Sequence, residues 1–326
     1  MAVPLFSVYA RAMRTRLLGK TGLGVSELSL GTWGLSGDGY GAVTEEEQVK
    51  VMERAVALGI TTIETAGVYA RGDMEKQIGE HFGKNPAVTV ITKIGTDRSE
   101  SPPRKRFDPK FLAESMDHCR RRLQRDVLDV VLLHNPAATT VDRGEATGFL
   151  AEEQARGRIR AWGVAAGSVP VARAALEKGA GVLSLAYNAL FSADVKALHD
   201  DIVKHGTGVL ARSVLGHGLL CGYWSLYKEF PSKDHRAERW TPDELRRRIS
   251  QLSPLRSAFG GEITTQRAVA LRYVLSNQDV STAVIGPRSS LQLDQLVREA
   301  GKGPPYLTEQ QLEGLHFRLG QLGATT

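Results

Sequence analysis

The chain holds 326 residues, 42% hydrophobic and 24% charged, with a formal net charge of +6 and only two cysteines, Cys119 and Cys221. No apolar run reaches membrane-spanning length and two cysteines build no disulfide framework, which speaks against a membrane protein or a stapled secreted domain and for a reducing, cytoplasmic setting. The arginine runs Arg104 to Arg106, Arg120 to Arg122 and Arg246 to Arg248 are short and scattered, so they are expected to be solvated charges rather than a nucleic-acid surface.

The first residues lack the basic start, sustained apolar core and cleavage site of a signal peptide. Residues 1–13 are expected to be a disordered extension, ahead of a single domain spanning 14–326. Residues 14–27, with Lys20-Thr21-Gly22 at their centre, predict a hairpin. Beyond it, short apolar runs alternate with amphipathic stretches. Strands are predicted at Leu28 to Leu30, Thr61 to Ile63, Val88 to Thr92, Val130 to Leu133, Ala161 to Val164, Leu183 to Ala186, Gly208 to Ala211 and Ala283 to Ile285. Continuous apolar runs of this kind suit parallel strands buried on both faces.

Between the strands lie helix signals. Thr44 with Glu47 predicts a capping box, Val49, Met52 and Val56 share a face, and Gly59 stops the helix. Asp108 and Pro109 open another, with Leu112, Met116, Cys119 and Leu123 on one stripe. Residues 213–258 form a long insertion after the seventh strand. Thr308 and Gln311 cap an added C-terminal helix that runs to Leu322. Eight strand–helix units predict a (β/α)8 TIM barrel with an N-terminal β-hairpin closing its floor and extra C-terminal helices. An open doubly wound sheet is disfavoured, because the first turn lacks the dinucleotide glycine fingerprint.

Side chains at the C-terminal ends of barrel strands converge on one mouth. Glu64 and Tyr69 follow the second strand, Lys93 ends the third and His134 the fourth. Taken singly, each has a bland role as a surface charge, a cap or a packing ring. Together they suit carbonyl reduction. A tyrosine is a poor proton donor at neutral pH unless a cation lowers its pKa. Lys93 can supply that cation, Glu64 can hold the lysine, and His134 can orient a carbonyl oxygen.

The ordered segments "LGKTGLGVSELSLGTW", "ITKIG", "LLHNP", "IRAWGV", "YNALF", "LARSVLGHGLLCG" and "VIGPRSSLQL" resemble the aldo-keto reductase family from about Arg14 to Leu296. The resemblance implies NADPH/NADP+ across the barrel mouth, with Tyr69 as general acid/base, Lys93 as its partner and His134 as the substrate-orienting residue. Glu64 stands where the family normally has aspartate. Gly31, Thr32 and Trp33 match the family's first-strand segment at the nicotinamide end and substrate pocket. Ala165 and Ala166 replace the usual Ser-Asn that holds the carboxamide, and Ser184 replaces a glutamine. Arg212, Ser213, Leu215, Gly218 and Leu219 are expected along the diphosphate, with Gly286, Arg288, Ser289 and Gln292 at the adenosine end. Ser289 and Ser290 begin a helix whose N-terminus suits an anion, and Arg288 is matched to a 2′-phosphate. Leu296 replaces an asparagine that usually touches adenine. Trp33, Tyr40, Tyr69 and His134 are expected to form the substrate pocket, with Tyr223, Trp224 and Tyr227 of the insertion nearby.

The leading expectation is an NADPH-dependent enzyme that interconverts a small aldehyde or ketone and its alcohol, with no nucleic-acid or membrane partner. The alternative is a catalytically weakened NADPH-binding regulatory or interaction protein on the same barrel, favoured by Glu64, Ala165, Ala166 and Ser184. A metal-dependent barrel enzyme is disfavoured, since His118, His199, His205 and His217 are dispersed.

Overall fold

The computed structural model describes residues 13–99 and 102–323. The extension expected over residues 1–13 lies outside them except for Met13, which packs partly buried against the core. The strands are β1 (Thr15–Leu17), β2 (Gly24–Ser26), β3 (Leu28–Gly31), β4 (Thr62–Glu64), β5 (Thr89–Ile94) and β6 (Thr96–Asp97). They continue as β7 (Arg104–Lys105), β8 (Leu128–His134), β9 (Ile159–Ala165), β10 (Val182–Ala186), β11 (Gly208–Arg212) and β12 (Val280–Ile285). Eight of them close a barrel in the order β10-β11-β12-β3-β4-β5-β8-β9, and every neighbouring pair is parallel. All eight predicted strands are present. Their ends extend past the apolar runs, because a buried ladder keeps pairing through Gly31, Glu64, Lys93, His134 and Arg212.

Alternation along each strand divides the core in two. Ile91, Val130, Leu132, Ala161, Val182 and Leu210 point inward and pack on Leu18, Leu23 and Val25 from the β1–β2 hairpin, which plugs the floor. The opposite strand faces pack against the surrounding helices in a larger cluster. Three helices matter for the site: α1 (Glu45–Ala57), α2 (Asp73–Phe82) and α3 (Pro109–Leu123).

Helix α1 corrects one expectation. Thr44 caps it by accepting a hydrogen bond from the Glu47 N–H, but the Glu47 carboxylate does not return the bond. It accepts instead from the Ser290 N–H (2.8 Å) and hydroxyl (3.0 Å). The reciprocal box does form at Thr308 and Gln311, opening the helix Glu309–Gln321. One arginine run, Arg120 to Arg122, also differs from expectation. Arg120 pairs with Glu153 and Arg122 with Glu75, two carboxylates almost wholly shielded from solvent. A hydrophobic pattern does not register a charge buried against an opposite charge. The small β6–β7 hairpin had no signal in the sequence, being only two residues on each side.

The 213–258 insertion carries helical turns at Arg236–Arg239 and Pro242–Ser250 and folds back over the mouth, where the His235 N–H donates to the Gly39 carbonyl at 2.9 Å. Trp224 packs against Phe230 and Trp240. Tyr223 and Tyr227 are exposed, at 68% and 83%, so neither lines the mouth as expected.

Candidate active site

The C-terminal ends of β4, β5 and β8 bring Glu64, Lys93 and His134 to one rim, flanked by the small residues Gly31, which pairs with Glu64, and Ala165, which pairs with His134. Gly31 is required there: a Cβ would lie 2.8 Å from Val284 Cγ1 and 3.6 Å from Glu64 Oε2. Tyr69 comes from the turn after β4. That turn is bent by left-handed backbone at Ala70, Arg71 and Gly72, with φ of 46°, 56° and 100°. It is fixed outside by Asp38, whose carboxylate accepts the Ala70 N–H at 2.8 Å, and by Arg98, which donates to the Val68 carbonyl at 2.6 Å.

Lys93 is the hub. Its ammonium forms an ion pair with Glu64 and donates to the Tyr69 hydroxyl at 3.0 Å and to the Thr65 carbonyl at 2.8 Å. Lys93 and Glu64 are 3% and 5% exposed, so the pair is shielded and its attraction is little screened. Burial alone would lower the Lys93 pKa, but the Glu64 charge and the Tyr69 oxygen outweigh it and hold the amine above its usual value. The extra methylene of Glu64, relative to aspartate, does not break the pair.

Tyr69 departs from the simple expectation of a lowered pKa. Burial pushes the phenol above its ordinary value, Lys93 pulls it down, and Glu64 offsets part of that pull. Lys93 therefore restrains the rise rather than making a free acid. His134 lies edge-on to Tyr69, with ring centroids 6.2 Å apart. Burial, followed by the charges of Lys93, Lys105 and Arg212, drives its pKa well below normal. The imidazole is therefore neutral at physiological pH and can act as a hydrogen-bonding group. Its Nδ1 is buried without a partner among the described residues.

On the opposite rim, the Ser184 hydroxyl and Arg212 Nε are likewise buried and unpartnered among the described residues. Arg212 is tied down by its Nη2, which donates to the Ala166 carbonyl at 3.0 Å. Ser213, at φ 57°, offers its carbonyl to the Asn188 amide. Leu215 and Leu219 pack into the core, and Gly218 follows His217 through a left-handed turn. The Thr32 hydroxyl is already engaged with Thr65 and the Glu64 carbonyl.

The residues after β12 are more occupied than the sequence suggested. Arg288 donates to the carbonyls of Gly34, Gly41 and Ala42, tying down the loop after β3. Ser289 caps the following helix through the Gln292 N–H, and Gln292 accepts from the Arg288 N–H. Ser290 holds Glu47. The anion position expected at this helix start is thus filled by the chain's own carboxylate. Gly286 sits beside Gly31 with its Cα face open.

Trp33 and Tyr40 do pack together, 5.1 Å apart, within an aromatic group that includes His217 and His235. The Tyr40 hydroxyl lies 3.2 Å from His217 Nδ1. Burial and then the neighbouring cations push His217 down to about 3, and burial, with Arg239 and Arg236, lowers His235 despite Asp234. Sequence reasoning missed both histidines as neighbours of Trp33, because they lie 184 and 202 positions further along the chain and neither motif nor spacing links them. Glu75, buried beside Met74 and Ile78 on α2, was also missed. Among the described residues no group of three or more His, Cys, Asp or Glu could hold a metal ion, and no helix is long and apolar enough to cross a membrane.

The Aldo/keto reductase family model matches residues 27–305. Aldo-keto reductase YhdN of Bacillus subtilis is 30% identical over 147 residues, 44% of each chain. A protein named as a probable voltage-gated potassium channel subunit beta, from Arabidopsis thaliana, is 25% identical over 87% of this chain and 90% of its own. Among solved structures, the glycerol dehydrogenase AKR11B4 from Gluconobacter oxydans superposes with a TM-score of 0.79 at 23% identity, covering 96% of this chain and 97% of that one. At that identity the likeness shows the barrel alone.

Proposed function

The chain belongs to the aldo/keto reductase family, and we propose that it is an NADPH-dependent oxidoreductase that reversibly reduces an aldehyde or ketone to an alcohol. The observation carrying this reading is the buried Glu64–Lys93 pair with its ammonium 3.0 Å from the Tyr69 hydroxyl. A reduced nicotinamide, when bound, supplies a hydride to the carbonyl carbon. Tyr69 gives the carbonyl oxygen its proton, and Lys93 stabilises the phenolate left behind. Glu64 keeps the ammonium in place, and neutral His134 orients the oxygen by a hydrogen bond.

The residues at the mouth fit the cofactor. The orphaned Ser184 hydroxyl and Arg212 Nε are polar groups suited to the carboxamide of a nicotinamide. Ser213, Leu215, Gly218 and Leu219 follow for the diphosphate. Gly286, Arg288, Ser289 and Gln292 would hold the adenosine end, and Arg288, which would exchange some of its bonds to the loop after β3 for a phosphate, is the reason for preferring the 2′-phosphorylated form. A 2′-phosphate at Ser290 would replace the Glu47 carboxylate. Trp33 and Tyr40 complete the substrate wall with Tyr69 and His134. The partner is a small carbonyl compound, and the two free cysteines suit a cytoplasmic protein.

Titrating the protein with NADPH and with NADH, then assaying NADPH oxidation on a panel of small aldehydes and ketones, tests the reading. Binding with turnover on some carbonyl supports it. The second reading, a regulatory barrel that binds nucleotide without chemistry, draws on the channel-subunit relative. Tight binding with no turnover on any member of the panel would favour it.

A further inference from the structure

The turn that carries Tyr69 is held from the protein interior as well as from outside. Left-handed backbone at the non-glycine residues Ala70 and Arg71 costs on the order of 1 kcal/mol or more each, and it persists only where the surroundings impose it. Arg122, reaching across from α3, packs against the turn on its inner side. Its stem and guanidinium fill the space left by two glycines that bracket Tyr69: a Cβ at Gly72 would lie 2.8 Å from Arg122 Cδ, and one at Gly67 would lie 3.0 Å from Arg122 Nη2. Arg122 Nε donates to Glu75 Oε2 at 2.7 Å, and the other Glu75 oxygen accepts from the Thr92 hydroxyl at 2.5 Å. Glu75 is fully buried. Thr92 precedes Lys93 on β5, and alternation sends their side chains to opposite faces of the strand. One cluster outside the barrel therefore grips both the strand that delivers the amine and the turn that delivers the phenol.

We infer that Arg122, through Glu75 and Thr92, is a positioning residue that keeps the Tyr69 hydroxyl within hydrogen-bond reach of the Lys93 amine. The inference rests on the reading of Tyr69 as the proton donor. It touches neither substrate nor cofactor and acts only on where the donor sits. An error of about 1 Å in such a placement can reduce turnover about a hundredfold.

The test uses the full chain with the pair neutralised as Arg122→Met/Glu75→Gln, so that no buried charge is left alone, alongside Arg122→Lys, Thr92→Val and Tyr69→Phe. Thermal unfolding, nucleotide affinity, kcat, KM and the pH profile of alcohol oxidation are read for each. The double variant is expected to bind nucleotide as the unaltered chain does, with kcat lower by about tenfold or more at similar KM and a displaced alkaline limb. Arg122→Lys should recover part of the loss. Should the double variant fail to fold, Thr92→Val carries the same expectation, with a smaller loss of kcat and the limb moved in the same direction. Unchanged kcat and an unmoved limb in the folded variants, whatever their melting temperatures, would overturn the inference. If Tyr69→Phe itself kept full turnover, the proton-donor reading would fall first and the positioning role with it.

Discussion

Lys93 shows how much depends on a single charge in a shielded place. Its ammonium is bound by a carboxylate, a phenol and a backbone carbonyl, and removing it strands Glu64. Lys93→Met is expected to lower stability by about 3–5 kcal/mol, as breaking one side of a buried pair does, measurable by urea unfolding, and to abolish turnover. The raised pKa of Tyr69 has a definite consequence for rate. Reduction needs the protonated phenol, so its rate should stay level across neutral pH and fall only above the ordinary tyrosine range near 10. Alcohol oxidation needs the phenolate and should climb toward that range. A reduction rate that already declined through neutral pH would contradict this protonation scheme. The four residue types were legible because each ends or follows a strand; the pKa balance was not, since it depends on how completely the rim is shielded from water.

At the scale of elements, the insertion after β11 behaves as a strap rather than a free loop. Trp33 and Tyr40, from the segment after β3, pack on His217 and His235 from the strap, and His134 lies at the end of β8. All three histidines are held neutral in the folded chain, first by burial and then by nearby cations. Once pH falls below the ordinary histidine value of about 6.5, unfolding takes up protons that the folded chain refuses, so stability declines from there downward. For His217 the loss continues until its folded value of about 3. The slope is at most about 1.4 kcal/mol per pH unit for each histidine. Melting temperatures measured from neutral to mildly acidic pH should fall, and His217→Asn should flatten the fall; an identical slope in that variant would count against the account. The insertion was visible as a break in the strand–helix rhythm. Its docking on Gly39 was not, being a tertiary contact, although Thr241, Pro242 and Glu244 are a legible start for the helix Pro242–Ser250. The same limit hid Arg122 and Glu75: a pattern of hydrophobic residues carries no trace of two charges that neutralise each other in the interior.

The whole molecule rests on a barrel filled from below. Apolar runs with parallel-strand character and capped helices between them were enough to predict eight strands and their closure, since alternation and connection length leave few other topologies. The hairpin was expected at the floor, and its side chains show how it fills it. Leu18 is fully buried beneath Val182 and Leu210 in the inner cluster, and Leu18→Ala is expected to cost about 2–5 kcal/mol, read as a lower denaturation midpoint. Because the plug lies at the opposite end from Tyr69, nucleotide affinity and KM should be unaffected at temperatures where the variant is folded. An unchanged midpoint would show that the floor contributes little to holding the strands together.

The central claim is that the Tyr69 hydroxyl, held by the Lys93 ammonium, supplies the proton in carbonyl reduction. It is tested most directly by following one turnover of bound NADPH with a reactive aldehyde in the unaltered chain and in Tyr69→Phe, with nucleotide affinity measured for both. The account predicts a loss of about a hundredfold to ten-thousandfold in the chemical rate, with affinity essentially retained. Equal single-turnover rates in the two proteins would contradict it.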